Sequence, residues 1–260
     1  MRHLISSIGI CCLIISCQQP STPSVQKYPD LLRENFKGEP LRVERLNFIV
    51  DSSGSLIPDS LHYEIGEWKD GYLSLYTEID SGKINKNVSA YSYYPSGLLK
   101  SIDSKLNGKQ NFRLEAAIDA KGHNVTGKIF DSAGKLSYFD KDLKQNETGQ
   151  VISGTAFDGD SSFLYYYSST YKGRQFLRNV IRDSTGKIKK ITGVKLQADN
   201  EVIADSVIRF GKDSTTTIVR QYQYSDYDSL KNWLQRTELN AAGTPIKIIN
   251  RKITYVAKNE

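Results

Sequence analysis

From about Leu41 onward, apolar and polar positions alternate with a period of two. Phe112, Leu114, Ala116 and Ile118 interleave with Arg113, Glu115, Ala117 and Asp119, the pattern of a strand with one buried and one wet face. Leu73, Leu75, Thr77 and Ile79 do the same against Tyr72, Ser74, Tyr76 and Glu78. Val194, Leu196 and Ala198 follow suit, as do Ile249, Arg251, Ile253 and Tyr255. No segment after Leu41 carries a long 3.6-residue period, so the body of the chain is expected to be all-β.

One turn recurs between these strands: Asp51-Ser52-Ser53-Gly54, Asp119-Ala120-Lys121-Gly122, Asp131-Ser132-Ala133-Gly134 and Asp183-Ser184-Thr185-Gly186. Asn146-Glu147-Thr148-Gly149 and Asn240-Ala241-Ala242-Gly243 are variants. An Asp or Asn side chain caps a type I turn, and Gly takes the positive-φ position that closes a hairpin with a bulge. Repeated hairpins predict a predominantly antiparallel meander forming an elongated twisted sheet, with a compact β-sandwich or barrel as the alternative.

The first residues follow another rule. Arg2 precedes an apolar run from Ile8 to Ile15, which ends in Ser16 and Cys17. The run is too short for a bilayer span of about 20 residues. It resembles a bacterial lipoprotein signal peptide with its lipobox, and the resemblance implies cleavage at Ser16, acylation of Cys17 and a membrane contact through that lipid. Gln18, where such proteins carry an inner-membrane retention Asp, implies sorting to the outer membrane. With no acidic residue before Asp30, the periplasmic face is expected, surface exposure being the alternative. All three cysteines, Cys11, Cys12 and Cys17, lie at or before this point, so the domain beyond has no thiol for a disulfide or a zinc site.

The expected organisation is a signal peptide over 1–16, a lipidated Cys and polar, Pro-broken tether over 17–29, a short helix over 30–39, a β-repeat domain over 40–256 and a tail over 257–260. The helix rests on Pro29 near its start and Gly38 at its end. The formal charge of +6 arises from 35 Lys and Arg interspersed among 29 Asp and Glu, with no run that would point to nucleic acid.

Near the C-terminus, Tyr222-Gln223-Tyr224 is followed by Tyr227-Asp228-Ser229-Leu230-Lys231-Asn232-Trp233-Leu234-Gln235-Arg236. This resembles the Tyr-Asp-x-x-Gly-Asn-Trp-x-x-Arg unit of YD-repeat, or RHS-like, envelope proteins, with Lys231 standing where the unit has Gly. Tyr91-Ser92-Tyr93-Tyr94-Pro95-Ser96-Gly97-Leu98 is a looser copy. In that family Tyr and Trp cover neighbouring strands and Asp with Gly makes the turn, so the resemblance implies an architecture and no activity.

Candidate chemistry is sparse. Beyond the leader the histidines are His62 and His123, with no second ligand at metal spacing. Asp140-Lys141-Asp142, Asp158-Gly159-Asp160 and Asp226-Tyr227-Asp228 offer oxygens but complete no calcium loop. There is no nucleophile elbow, phosphate loop or dinucleotide fingerprint, and no metal or cofactor is expected. Asp59-Ser60-Leu61, Asp131-Ser132-Ala133, Asp205-Ser206-Val207 and Asp228-Ser229-Leu230 resemble the acceptor used for O-glycosylation of exported proteins in some Gram-negative bacteria. Tyrosine is enriched, with 16 copies. Tyr91, Tyr93, Tyr94, Tyr165, Tyr166, Tyr167 and Tyr171, with Trp68 and Trp233, are the candidate binding surface, set against their ordinary role in half-buried strands. The chain therefore reads as a lipid-anchored envelope protein in a non-enzymatic structural or protein-interaction role. The alternatives are a carbohydrate-binding lipoprotein, a lipoprotein immunity or inhibitor protein, and a hydrolase or isomerase.

Overall fold

The computed structural model describes residues 35–173 and 175–256. The Cys17 and Ser16 assignments, the tether, residues 30–34 and the tail lie outside them. The described chain is a meander of sixteen antiparallel strands, running from β1 (Pro40–Val50) and β2 (Leu56–Lys69) to β15 (Trp233–Leu239) and β16 (Pro245–Tyr255). Each strand pairs with its sequence neighbours, and β1 pairs with β16, so the sheet closes into a barrel. The expected hairpin meander is present. Its sheet is closed, the barrel alternative, because Val43 pairs with Ile253 and Asn47 with Ile249 across the seam. Closure leaves no open edge on which another strand could add.

The recurring turn forms at all six places. In each, the first residue's side-chain oxygen accepts from the amides two and four residues on, as Asp183 does from Thr185 and Lys187 and Asn240 from Ala242 and Thr244. The amide of the Gly at the fourth position, Gly186 or Gly243, donates back to the first carbonyl. The Asp228 turn has the same bonds, from the amides of Leu230 and Asn232. Its fourth position, Lys231, adopts φ 65, so the residue that departs from the YD unit still takes the glycine conformation.

Residues 35–39 form a turn and bends rather than the end of the expected helix. Asn35 and Gly38 both have positive φ, which a right-handed helix cannot accommodate, and Phe36 is drawn into a buried cluster with Val43 and Trp68.

An even strand count places both chain ends on one rim, with the connections 70–71, 94–98, 119–123, 146–150, 197–201 and 228–232. We call this the termini rim. The far rim carries 51–55, 81–85, 131–135, 183–187 and 240–244. Val256 donates to the Glu39 carbonyl and ties the two ends together.

Register separates two faces. Val43, Gly66, Tyr76, Ser89, Ser104 and Phe112 form one row across β1 to β6. Val43, Ser89 and Ser104 in it are buried, as is Asn47, which marks the crowded inner face. The alternating residues Arg42, Glu67, Leu75, Ala90, Asp103, Arg113 and Phe130 form the outer row. Drawn as a circle, sixteen strands at about 4.8 Å spacing and roughly 40° tilt have a backbone radius of about 16 Å, wider than side chains fill.

Candidate functional site

The inner face is a polar wall of tyrosines and carboxylates. Tyr76 donates to Glu64, which also receives Arg45 and the Asn47 amide. Tyr167 donates to Asp140 at 3.0 Å, and the Tyr138 and Tyr165 hydroxyls lie 3.4 Å apart. On β13 (Val202–Phe210) and β14 (Thr215–Tyr227), Asp205 receives Arg220 through both carboxylate oxygens, at 3.0 and 2.8 Å, and the Tyr222 hydroxyl as well. Side chains two residues apart on a strand share a face, so the alternation itself builds these rows.

Burial, then the adjoining carboxylate, pushes the Tyr76, Tyr167 and Tyr222 hydroxyls well above the usual phenol range. Burial alone dominates at Tyr224, pushed up to about 12. These phenols stay neutral donors at physiological pH. Among the described residues the wall offers paired charges and neutral hydroxyls.

The termini rim holds a buried apolar cluster of Phe36, Val43 and Trp68. Phe36 meets Trp68 edge-on at 5.5 Å, and Leu73 and Ile253 pack beside them. The Arg251 guanidinium lies 3.6 Å over the Trp233 ring and 5.1 Å from Phe36, a desolvated cation–π arrangement, and it donates to the Trp233 carbonyl. Asn232, 2% exposed, accepts from the Lys37 amide and donates to the Lys37 carbonyl and the Tyr255 hydroxyl. Asn35 reaches on to the Asp199 carbonyl. Residues 35–39 thus form a strap laid over the rim. Beside it Glu201 is buried, and burial, then Asp199, raises its carboxyl above the usual range.

The sequence-selected aromatics are distributed among these environments rather than gathered in one plane. Trp68 and Trp233 belong to the rim cluster. Tyr93 donates to the Leu73 carbonyl, Tyr94 to that of Ala116 and Tyr171 to that of Val151. Tyr91 is half-buried, with its own partners. Tyr165 and Tyr167 face inward, and Tyr166, 44% exposed, packs against Phe163 on the outer wall. His62 is on β2, its Nδ1 against the Asn47 carbonyl. His123 sits in the 119–123 turn beside Asp119, four strands away. Among the described residues no group of three metal-ligating side chains converges. Sequence reasoning missed Glu64, Asp140 and Asp205 as the acceptors of the inner wall. The two-residue spacing of Tyr222 with Tyr224, and of Tyr165 with Tyr167, is the sequence signal that two rings share a face.

No family model and no curated protein matches this chain. Among solved structures, a porin-like protein from Bacteroides uniformis superposes with a TM-score of 0.53 at 11% identity, covering 83% of this chain and 96% of that one. A porin-like protein from Bacteroides vulgatus gives 0.21 at 11% identity over 84% and 98% of the two chains. The Photorhabdus luminescens Tc holotoxin pore gives 0.19 at 11% identity over 82% and 16%. The Bacteroides uniformis protein shares the fold with this chain, a closed antiparallel β-barrel.

Proposed function

We propose that this is a cell-envelope protein, held at the outer membrane by an acyl group on Cys17, which carries its barrel in the aqueous phase and serves a structural or protein-interaction role. The outer wall carries the reading. Arg42, the third residue of β1, pairs with Glu44 and with Glu67, the third residue from the end of β2, and Arg113 pairs with Glu115 at mid-strand; these side chains are 27–49% exposed. Lys252 lies opposite Glu44 and Lys128 opposite Glu115. A lipid-facing barrel wall needs an apolar band about 25 Å tall, and each Arg or Lys at its midplane costs about 2–4 kcal/mol. A wall laced with these pairs is suited to water.

The similarity to a porin-like fold supports the envelope assignment, and the charged pairs of the outer wall favour a barrel in water over one that spans a bilayer. The periplasmic face is the favoured side, on the absence of an acidic residue between Cys17 and Asp30. A non-enzymatic role is supported by the separation of His62 from His123 and by phenols held neutral. The test replaces residues 1–16 with a cleavable secretory leader and makes Cys17→Ser. The released chain is expected to stay monodisperse without detergent, while the native protein takes up labelled palmitate and enters the detergent phase. A Cys17→Ser chain that still needs detergent would overturn the aqueous barrel, and absence of palmitate on the native chain would overturn the anchor.

A further inference from the structure

β2 departs from regular pairing near the far rim. Leu46 pairs with Tyr63 but Phe48 with Pro58, so the four residues 59–62 stand opposite the single Asn47 of β1, an excess of three. A second irregularity between Leu61 and Tyr63 faces β3 (Tyr72–Asp80). Bulges of this kind re-aim side chains. Asp59 is committed to Lys247 at 2.6 Å. His62 is fixed by the Asn47 carbonyl at 2.9 Å and by an edge-on contact with Phe48 at 5.0 Å.

Beside the bulge the wall opens into a cleft of about 480 Å³, lined by Leu46, His62, Tyr63 and Ile79 and bordered by Asp80, Lys83 and Lys86. Its size falls in the range of small-molecule sites, and its chemistry is theirs as well: apolar walls with a few convergent polar groups. Leu46 is 39% exposed, and Ile84, on the same turn as Lys83, is 77% exposed. The charges at the mouth do not cancel. Asp80 is the carboxylate there, and its oxygens are occupied by the Ile84 amide and by the Asn85 amide and side chain. Lys83 and Lys86 form no ion pair among the described residues.

We propose that this cleft binds a small anionic amphiphile, its apolar tail against Leu46, Tyr63 and Ile79 and its carboxylate or phosphate head between Lys83 and Lys86. Asp80 keeps its negative charge while its oxygens accept the Ile84 and Asn85 hydrogen bonds, so the mouth carries two cations against one anion, a net charge of +1 that favours an anionic head over a neutral or cationic one.

The test is isothermal titration of residues 17–260 carrying Cys17→Ser with decanoate, decyl phosphate, decanol and decyltrimethylammonium, below their micellar concentrations. The anions are expected to bind about tenfold or more tightly than the other two, the combined worth of two exposed ion pairs. Whichever anion binds better identifies the head group. The double variant Lys83→Asn/Lys86→Gln is expected to bring the anions to within about twofold of decanol, Asn being chosen because it tolerates the φ of 56 at Lys83. Leu46→Gln is expected to weaken all four ligands. Unchanged thermal melting of both variants verifies the fold. Equal affinity for the four ligands, absence of binding, or an anion preference that survives the double variant would overturn the proposal.

Discussion

Lys231 offers a measurement of how strongly one turn geometry governs this fold. It holds φ 65 at the fourth position of the Asp228 turn, where its amide donates to the Asp228 carbonyl at 3.0 Å. A residue with a Cβ loses about 1–2 kcal/mol in the left-handed region. Lys231→Gly removes that strain, but the freer unfolded chain takes back about 0.5–1 kcal/mol. The net expectation is a stabilisation of about 0.5–1 kcal/mol, a rise in Tm of about 2–3 °C for a barrel of this size. Gly243→Ala is the mirror experiment. Gly243 has φ 81, and a Cβ there would meet nothing within 4 Å, so backbone strain of about 1–2 kcal/mol is offset by about 0.5–1 kcal/mol from the stiffer unfolded chain, a net loss of about 0.5–1 kcal/mol and a fall in Tm of about 2–3 °C. Urea unfolding followed by far-ultraviolet circular dichroism reads both. If the two substitutions moved the midpoint in the same direction, or Lys231→Gly lowered it, the turn would not be governed by this conformation.

Other consequences are as direct. Asn232→Ala removes three hydrogen bonds at a buried position and should cost about 3 kcal/mol, with faster proteolysis near residues 35–39 as its local signature. Gly66→Ala should be destabilising by about 1–3 kcal/mol, because its Cβ would stand 2.4 Å from the Trp68 ring. In a Trp233→Phe background its effect appears as a red shift of the remaining tryptophan emission. Burial opposes ionisation of Asp228, but the Tyr255 hydroxyl and the Asn232 and Leu230 amides outweigh it and lower its pKa. Its stabilising contribution is therefore full above the ordinary aspartate value of about 3.8 and lost as pH falls through the lower folded value. Acid unfolding should start later in Asp228→Asn, relative to that variant's own neutral stability. Glu201 has the opposite sign: burial, then Asp199, raises its pKa. Its penalty is present at neutral pH and relieved on acidification, so Glu201→Gln should raise Tm at pH 7 and less so at pH 4, measured by scanning calorimetry.

The turns were legible because each is a local contract among five residues. Asp183, Thr185, Gly186 and Lys187 carry their hydrogen bonds within one short stretch, and the strands between such turns follow from alternation. Closure was not legible. The pairing of Val43 with Ile253 joins positions about two hundred residues apart, and no local pattern announces it. The two faces were equally hidden, since charged residues occupy both: Arg45 with Glu64 inside, Arg42 with Glu67 outside. Tyr165, Tyr166 and Tyr167 could be read as a surface or as strand residues, and the deciding partners, Tyr138 and Asp140, lie on another strand. The cleft beside β2 depends on residues 59–62, whose mismatch exists only relative to β1 and β3.

The pairing of first strand with last has a consequence for how such a chain can change in length. A hairpin is the unit of this meander, and adding or deleting one changes the strand number by two. The chain then still returns to the rim from which it began, and the seam between first and last strands remains antiparallel. Loss of a single strand would send the C-terminus to the opposite rim and force a parallel seam. Whole-hairpin duplication is thus a path along which barrels of this kind can widen or narrow while the strap and the C-terminal strand keep their meeting point.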